Sequence, residues 1–156
     1  FWDPASGSLR LSDGSTPGGI SITGLSNGFQ ARNETATVTA SSVAVDDVEN
    51  IDLTAHKGYV LYGITADKAC RVRLYNSNAS RTADAGRLPQ EAPSANTGLI
   101  AEAVFVSGGT INFTPGVFGY NNESTPTTTV PVAVTNNGSS TQNIAISLTV
   151  LKIEQG

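Results

Sequence analysis

Few residues in this chain are equipped for chemistry, so each can be weighed singly. His56 is its one histidine and Cys70 its one cysteine. A Ser–His–acid triad would have to use His56, and no Gly-x-Ser-x-Gly elbow is present. His56 stands between a short apolar run and Lys57-Gly58, which favours a surface or capping position. Cys70 shares the phase of Val72 and Leu74, so a small buried hydrophobe is its expected role. A cysteine nucleophile needs an electropositive pocket, and Arg71 and Arg73 fall in the opposite phase. A single cysteine cannot close an internal disulfide.

Asp46, Asp47, Glu49 and Asp52 form the one acidic cluster. Hard cations want several oxygens on a loop, but no glycine and distal glutamate follow in EF-hand register, so a solvated loop is favoured. As glycosidase acid and base they would need a cleft, which the spacing does not demonstrate. Arg71, Arg73, Arg81 and Arg87 carry four of the nine positive charges. They suit either a phosphate or anionic-glycan patch or pairing across subunits with Asp84, Glu91 or the Asp46 cluster. The net charge of −4 favours pairing. Most aromatics fall in strand phase and read as core. Tyr75 and Tyr120, at strand ends beside loops, are the two that suit a ligand platform. Tyr75, Arg81, Asp84, Arg87 and Tyr120 therefore make up the candidate ligand or intersubunit loop. No catalytic residue, metal ligand or cofactor is expected, since P-loop, dinucleotide and zinc spacings are missing.

The elements that must carry these residues follow from composition and pattern. Thr, Ser, Asn and Gly make up 62 of the 156 residues, and charged residues only 14%. Helix formers such as Glu, Lys, Gln and Met are scarce, which argues against a helical bundle or coiled coil. Nine Lys and Arg against thirteen Asp and Glu argue against a nucleic-acid partner. The longest nearly apolar stretch, Leu99 to Val106, is interrupted by Glu102 and is far short of the roughly 18 residues of a membrane helix. No charged segment leads into an apolar run, so no signal peptide is expected. The missing initial Met points to processing or to numbering from inside a longer product. Five Asn-x-Ser/Thr triplets, at Asn33, Asn78, Asn112, Asn122 and Asn137, read as composition.

Residues 1–34 are expected to form an extended N-terminal arm with one or two short strands. They hold Pro4, Pro17 and closely spaced glycines. Phe1, Trp2, Leu9, Leu11, Ile20 and Ile22 are its candidate anchors, because aromatics and aliphatics at an exposed terminus gain by docking. Residues 35–156 are expected to form a β-sandwich. Thr35 to Ala40 alternates strictly, and Gly58 to Thr65 is apolar on both faces, as a central strand is. Cys70 to Tyr75 reads as a half-buried strand, and Asn76 to Gly98 as a long polar loop, a length usually tied to function. Ser107-Gly108-Gly109 reads as a hairpin turn. Pro115-Gly116 reads as a turn into a further strand, and Pro131 as an edge or bulge position. The apolar phase of the last strand slips near Val150-Leu151, which predicts a bulge there or a final turn buried on both faces. About eight antiparallel strands result, an all-β sandwich of jelly-roll type.

Several segments taken together resemble a β-rich domain of tailed-bacteriophage virion proteins, of the kind found in marine and cyanobacterial phages. They are Lys57-Gly58-Tyr59-Val60-Leu61-Tyr62, Arg71-Val72-Arg73-Leu74-Tyr75, Ser80-Arg81-Thr82-Ala83-Asp84, Gly98-Leu99-Ile100-Ala101-Glu102 and Thr114-Pro115-Gly116-Val117-Phe118-Gly119-Tyr120-Asn121-Asn122-Glu123. Val132 to Asn136 and Ile146 to Leu151 fit as well. The likeness spans roughly Ser41 to Glu154. It implies a non-enzymatic virion surface protein: a head decoration (cement) protein or small head fibre. Such a protein would be a homotrimer docked by its arm to the major capsid protein or another virion protein. A tail-fibre domain recognising a host surface glycan is the alternative, and a carbohydrate-active jelly-roll enzyme a remote one. Neither nucleic acid nor membrane is an expected partner.

Overall fold

The structure, a computed structural model, describes residues 2–3, 8–11, 20–21, 32–35 and 37–154. The chain forms two compact units, residues 1–31 and 32–156. In the first, β1 (Trp2–Asp3), β2 (Ser8–Leu11) and β3 (Ile20–Ser21) pair antiparallel in that order. Trp2 stands opposite Leu9, and Leu11 opposite Ile20. Three paired strands thus replace the one or two of an extended arm. Phe1 and Ile22 lie outside the described residues.

The second unit begins before residue 35. The short β4 (Asn33–Glu34) is paired to the last strand of the chain, with Asn33 opposite Val150 and Glu34 opposite Thr149. Eight longer strands follow: β5 (Val38–Val43), β6 (Val48–Thr54), β7 (Gly58–Ala66), β8 (Cys70–Tyr75), β9 (Leu99–Phe105), β10 (Gly109–Tyr120), β11 (Thr129–Asn136) and β12 (Gln142–Glu154). One sheet has the order β10-β7-β12, with β4 and β5 both paired to β12; the other has the order β6-β11-β8-β9. The pairs are nested: β5 with β12, β6 with β11, β7 with β10 and β8 with β9, all antiparallel. One long folded-back hairpin, wrapped so that its halves alternate between two sheets, has this pairing. It is a jelly-roll sandwich.

The alternation of apolar residues explains the core. Ile144, Ile146, Leu148 and Val150 of β12 are fully buried, as are Val72 and Leu74 of β8 and Val132 and Val134 of β11. Each such side chain contributes about 1.5–3 kcal/mol by leaving water. β7 lies between β10 and β12, as its two apolar faces require. A bulge does lie beside Val150, but its extra residue is on β7 and not on β12. The register jumps between Thr149 and Val150, where Tyr62 of β7 is the extra residue, and again between Lys152 and Glu154.

Other expectations fail for physical reasons. Ser107-Gly108-Gly109 is no hairpin turn, because β9 pairs with β8 and β10 with β7. The turn crosses between sheets, and a Cβ on Gly108 would come within 2.5 Å of the Asp67 carbonyl oxygen. Pro131 is in an interior strand, not at an edge. Its ladder to β8 begins only at Val132, so the missing N–H falls where β11 has a partner on one side alone. Pro115-Gly116 does not divide two strands but forms a break in register inside β10, between Asn112 and Val117. Val48, Glu49 and Asn50 belong to β6 rather than to an acidic loop. β8 is buried on both faces rather than one. Among the described residues, no helix is long and apolar enough to cross a membrane.

Cys70 is fully buried in the core, and burial with the nearby Asp67 charge pushes its thiol up to about 12. The native protein should therefore resist a thiol reagent at pH 8 and react fully once unfolded in guanidinium, read by release of the chromophore. Fast native labelling would contradict this packing.

Candidate functional site

The segment between β8 and β9 is ordered by charges. It opens with α1 (Asn78–Ala83), a single helical stretch missed in the sequence because it lacks an apolar stripe. Ser77 caps it, its hydroxyl accepting from the Ser80 N–H at 3.1 Å. Gly98 closes the segment at φ 59°, and its carbonyl accepts the Asn76 N–H at 2.9 Å. A side chain at Gly98 would overlap the Asn76 carboxamide, so only glycine fits there.

Strand alternation puts Arg71, Arg73 and Tyr75 on the outer face of β8, and the segment folds back over them. The Tyr75 hydroxyl donates to Asp84 Oδ2 at 2.7 Å. Arg87 Nε donates to both Asp84 oxygens, at 2.9 and 3.0 Å. Arg73 Nη1 donates to the Asp84 carbonyl at 3.1 Å, and lies 3.6 Å from Oδ2. Glu102, from β9, accepts Arg71 Nε at 2.7 Å and Arg87 Nη2 at 2.5 Å. Side-chain exposure is 3% at Arg71, 1% at Arg73, 2% at Asp84 and 6% at Arg87, so these four are interior, while Glu102, at 23%, sits at the margin. Further out, Arg81 Nη1 donates to the Ile51 and Val132 carbonyls and to Asp52 Oδ1, tying α1 to β6 and β11.

The electrostatics follow from the partners. Burial pushes the Asp84 carboxyl up, but the bonds from Tyr75 and Arg87 and the charges of Arg87 and Arg73 prevail and hold it below its ordinary value. Glu102 is likewise raised by burial and held low overall by Arg71 and Arg87. Burial and the bond to Asp84 push the Tyr75 phenol up, so it stays a donor. Carboxylates fixed as acceptors between guanidiniums are poor proton carriers. The arrangement instead suits holding a long connection rigid and presenting positive charge at its margin.

Four of the residues singled out in the sequence thus lie in this segment or beneath it: Tyr75, Arg81, Asp84 and Arg87. Their charges find partners within the chain, and Tyr75 is too deep to serve as a platform. Tyr120 is apart from them. It is 45% exposed on β10, its ring 6.4 Å from that of Phe118. Of its neighbours, Asn122 donates its N–H to the Asn76 carbonyl at 2.7 Å, and Glu123 Oε1 accepts the Asn78 N–H at 2.7 Å. Glu102 was missed as a partner, although its charge inside an apolar strand was the signal. Among the described residues, no three His, Cys, Asp or Glu side chains gather as a metal-holding group. No known protein family matches this chain, and no curated protein resembles it in sequence.

Removing one member of a buried pair strands its partner. Asp84→Ala should cost about 3–5 kcal/mol in urea unfolding. A second expectation concerns acid. Native Asp84 and Glu102 titrate below their unfolded values, so their contribution is complete at neutral pH. It should fade as pH drops below about 4, the ordinary carboxylate range, and vanish below the lowered native values. The melting temperature should follow this course, and the fall should be shallower in Glu102→Gln. A melting temperature unchanged down to pH 2 would contradict the network.

Proposed function

We propose that this chain is a non-enzymatic structural protein of a tailed-phage virion, a head decoration protein or small head fibre at the particle surface. It would assemble as a homotrimer and dock to the major capsid protein or another virion protein through its N-terminal unit. The observation that carries this reading is the combined segment likeness from Ser41 to Glu154, which falls on the jelly-roll unit from β5 to β12. Two features support it. The carboxylates of Asp84 and Glu102 are committed to guanidiniums rather than to a cleft. The outer face of the β10-β7-β12 sheet also carries apolar side chains suited to a subunit contact. Phe118, Val60 and Leu151 stand in one cross-strand row. Around them Phe118 is 59%, Tyr120 45% and Ile153 53% exposed. Apolar residues clustered on one surface suit a protein partner, and here a second copy of the chain.

Two measurements test the proposal. Light scattering on the purified chain should give three protomers, and Phe118→Glu with Ile153→Lys should give one, with the fold intact by circular dichroism. Deleting residues 1–31 keeps Arg32, which lies 4.7 Å over the Tyr62 ring, and keeps the pairing of β4. The truncated protein should stay folded but no longer bind virions in co-sedimentation. Undiminished binding would refute docking by the N-terminal unit, and labelled protein found on tails rather than heads would favour glycan recognition instead.

A further inference from the structure

A cavity of about 330 Å³ opens between the outer face of the β6-β11-β8-β9 sheet and residues 85–89. Its floor is a register row: Val48 of β6 opposite Thr135 of β11, and Thr135 opposite Arg71 of β8. Arg73 and Arg87 also line it, with Leu88 and Pro89 opposite. Among the described residues, four buried side-chain atoms lack a hydrogen-bond partner. Three of them, Arg71 Nη2, Arg73 Nε and Thr135 Oγ1, belong to residues of this cavity wall. Each residue is at least nine-tenths buried: Arg71 3%, Arg73 1% and Thr135 8% exposed. A buried donor left without a partner is costly, more so on a charged group, so unspent donors gathered at one cavity mark a missing acceptor.

The charge balance has the same sign. Three guanidiniums, of Arg71, Arg73 and Arg87, meet two carboxylates, Asp84 and Glu102, leaving one positive charge in excess. Asp46 at the mouth opposes this, but it is exposed and screened by solvent. Guanidinium N–H groups with a hydroxyl are the donor set for an oxyanion. Val48, Leu88 and Pro89 add an apolar flank beside the charged end.

We propose that this cavity binds a small ligand through a carboxylate or phosphate group, held by Arg71, Arg73 and Thr135. The site is distinct from the apolar face assigned to subunit contact, and its occupancy does not depend on virion docking. The test uses the full chain with inorganic phosphate and butyrate as separate probes, against chloride at matched ionic strength. The Arg73 Nε–H resonance and the melting temperature are followed. A saturable shift with phosphate, butyrate or both is expected, and the two arms tell which oxyanion the site prefers. Thr135→Val removes a hydroxyl that has no partner, so the fold should be unaffected while binding weakens about tenfold. Val48→Glu, which puts a negative charge at the mouth, should weaken it about tenfold as well, and Asp46→Asn should tighten it about threefold. Failure of both probes to saturate would overturn the proposal. So would wild-type affinity retained in both weakening variants, since the anion would then be held elsewhere.

Discussion

Arg87 holds two carboxylates from different parts of the chain, Asp84 three residues before it and Glu102 on the neighbouring strand. Through Glu102 it is joined to Arg71, and through Asp84 to Tyr75 and Arg73. This bridge is what allows a long polar connection to lie against a sheet. Such a connection has little apolar area to bury, and ordering its backbone costs about 1–2 kcal/mol per residue. Desolvated ions add their own penalty, so net stabilisation by the network is modest. What it secures is a single arrangement. With every carboxylate oxygen assigned to a donor, a shifted loop would strand charges in a dry interior.

The position of that bridge in the topology gives it reach. β8 and β9 are the innermost pair of the nested hairpin, and residues 76–98 form its tip. The other pairs join strands progressively farther apart in sequence, ending with β5 and β12. Closing long separations is slow and entropically costly, while the inner pair is the most local. A rigid tip defines where β8 and β9 lie, and β8 in turn templates β11, with β6 beyond it.

Much of this was legible in the residues. Period-2 alternation located the long strands, the two-faced apolar run at Gly58 to Thr65 marked an interior strand, and the slip at Val150-Leu151 marked the place of a bulge but not the strand that carries it. Sheet membership was not legible, because alternation states which face is buried and not which neighbour is paired. That is why Ser107-Gly108-Gly109 looked like a hairpin turn. The network was half legible. Arg71, Arg73, Arg81, Arg87 and Asp84 stood out as charges in a poorly charged chain, but their partners lie within the fold and depend on the return of the loop. The cavity beneath residues 85–89 was invisible, since Thr135 sits among eighteen threonines with nothing to distinguish it.

The pairing of β4 with β12 has a mechanical meaning. Asn33 opposite Val150, and Val38 opposite Ile146, place the entering and leaving chain at the same end of one antiparallel ladder. Tension applied between residues 32 and 154 would open that ladder like a zipper, loading its rungs one after another from that end. A module built this way yields gradually under a pull between those two points.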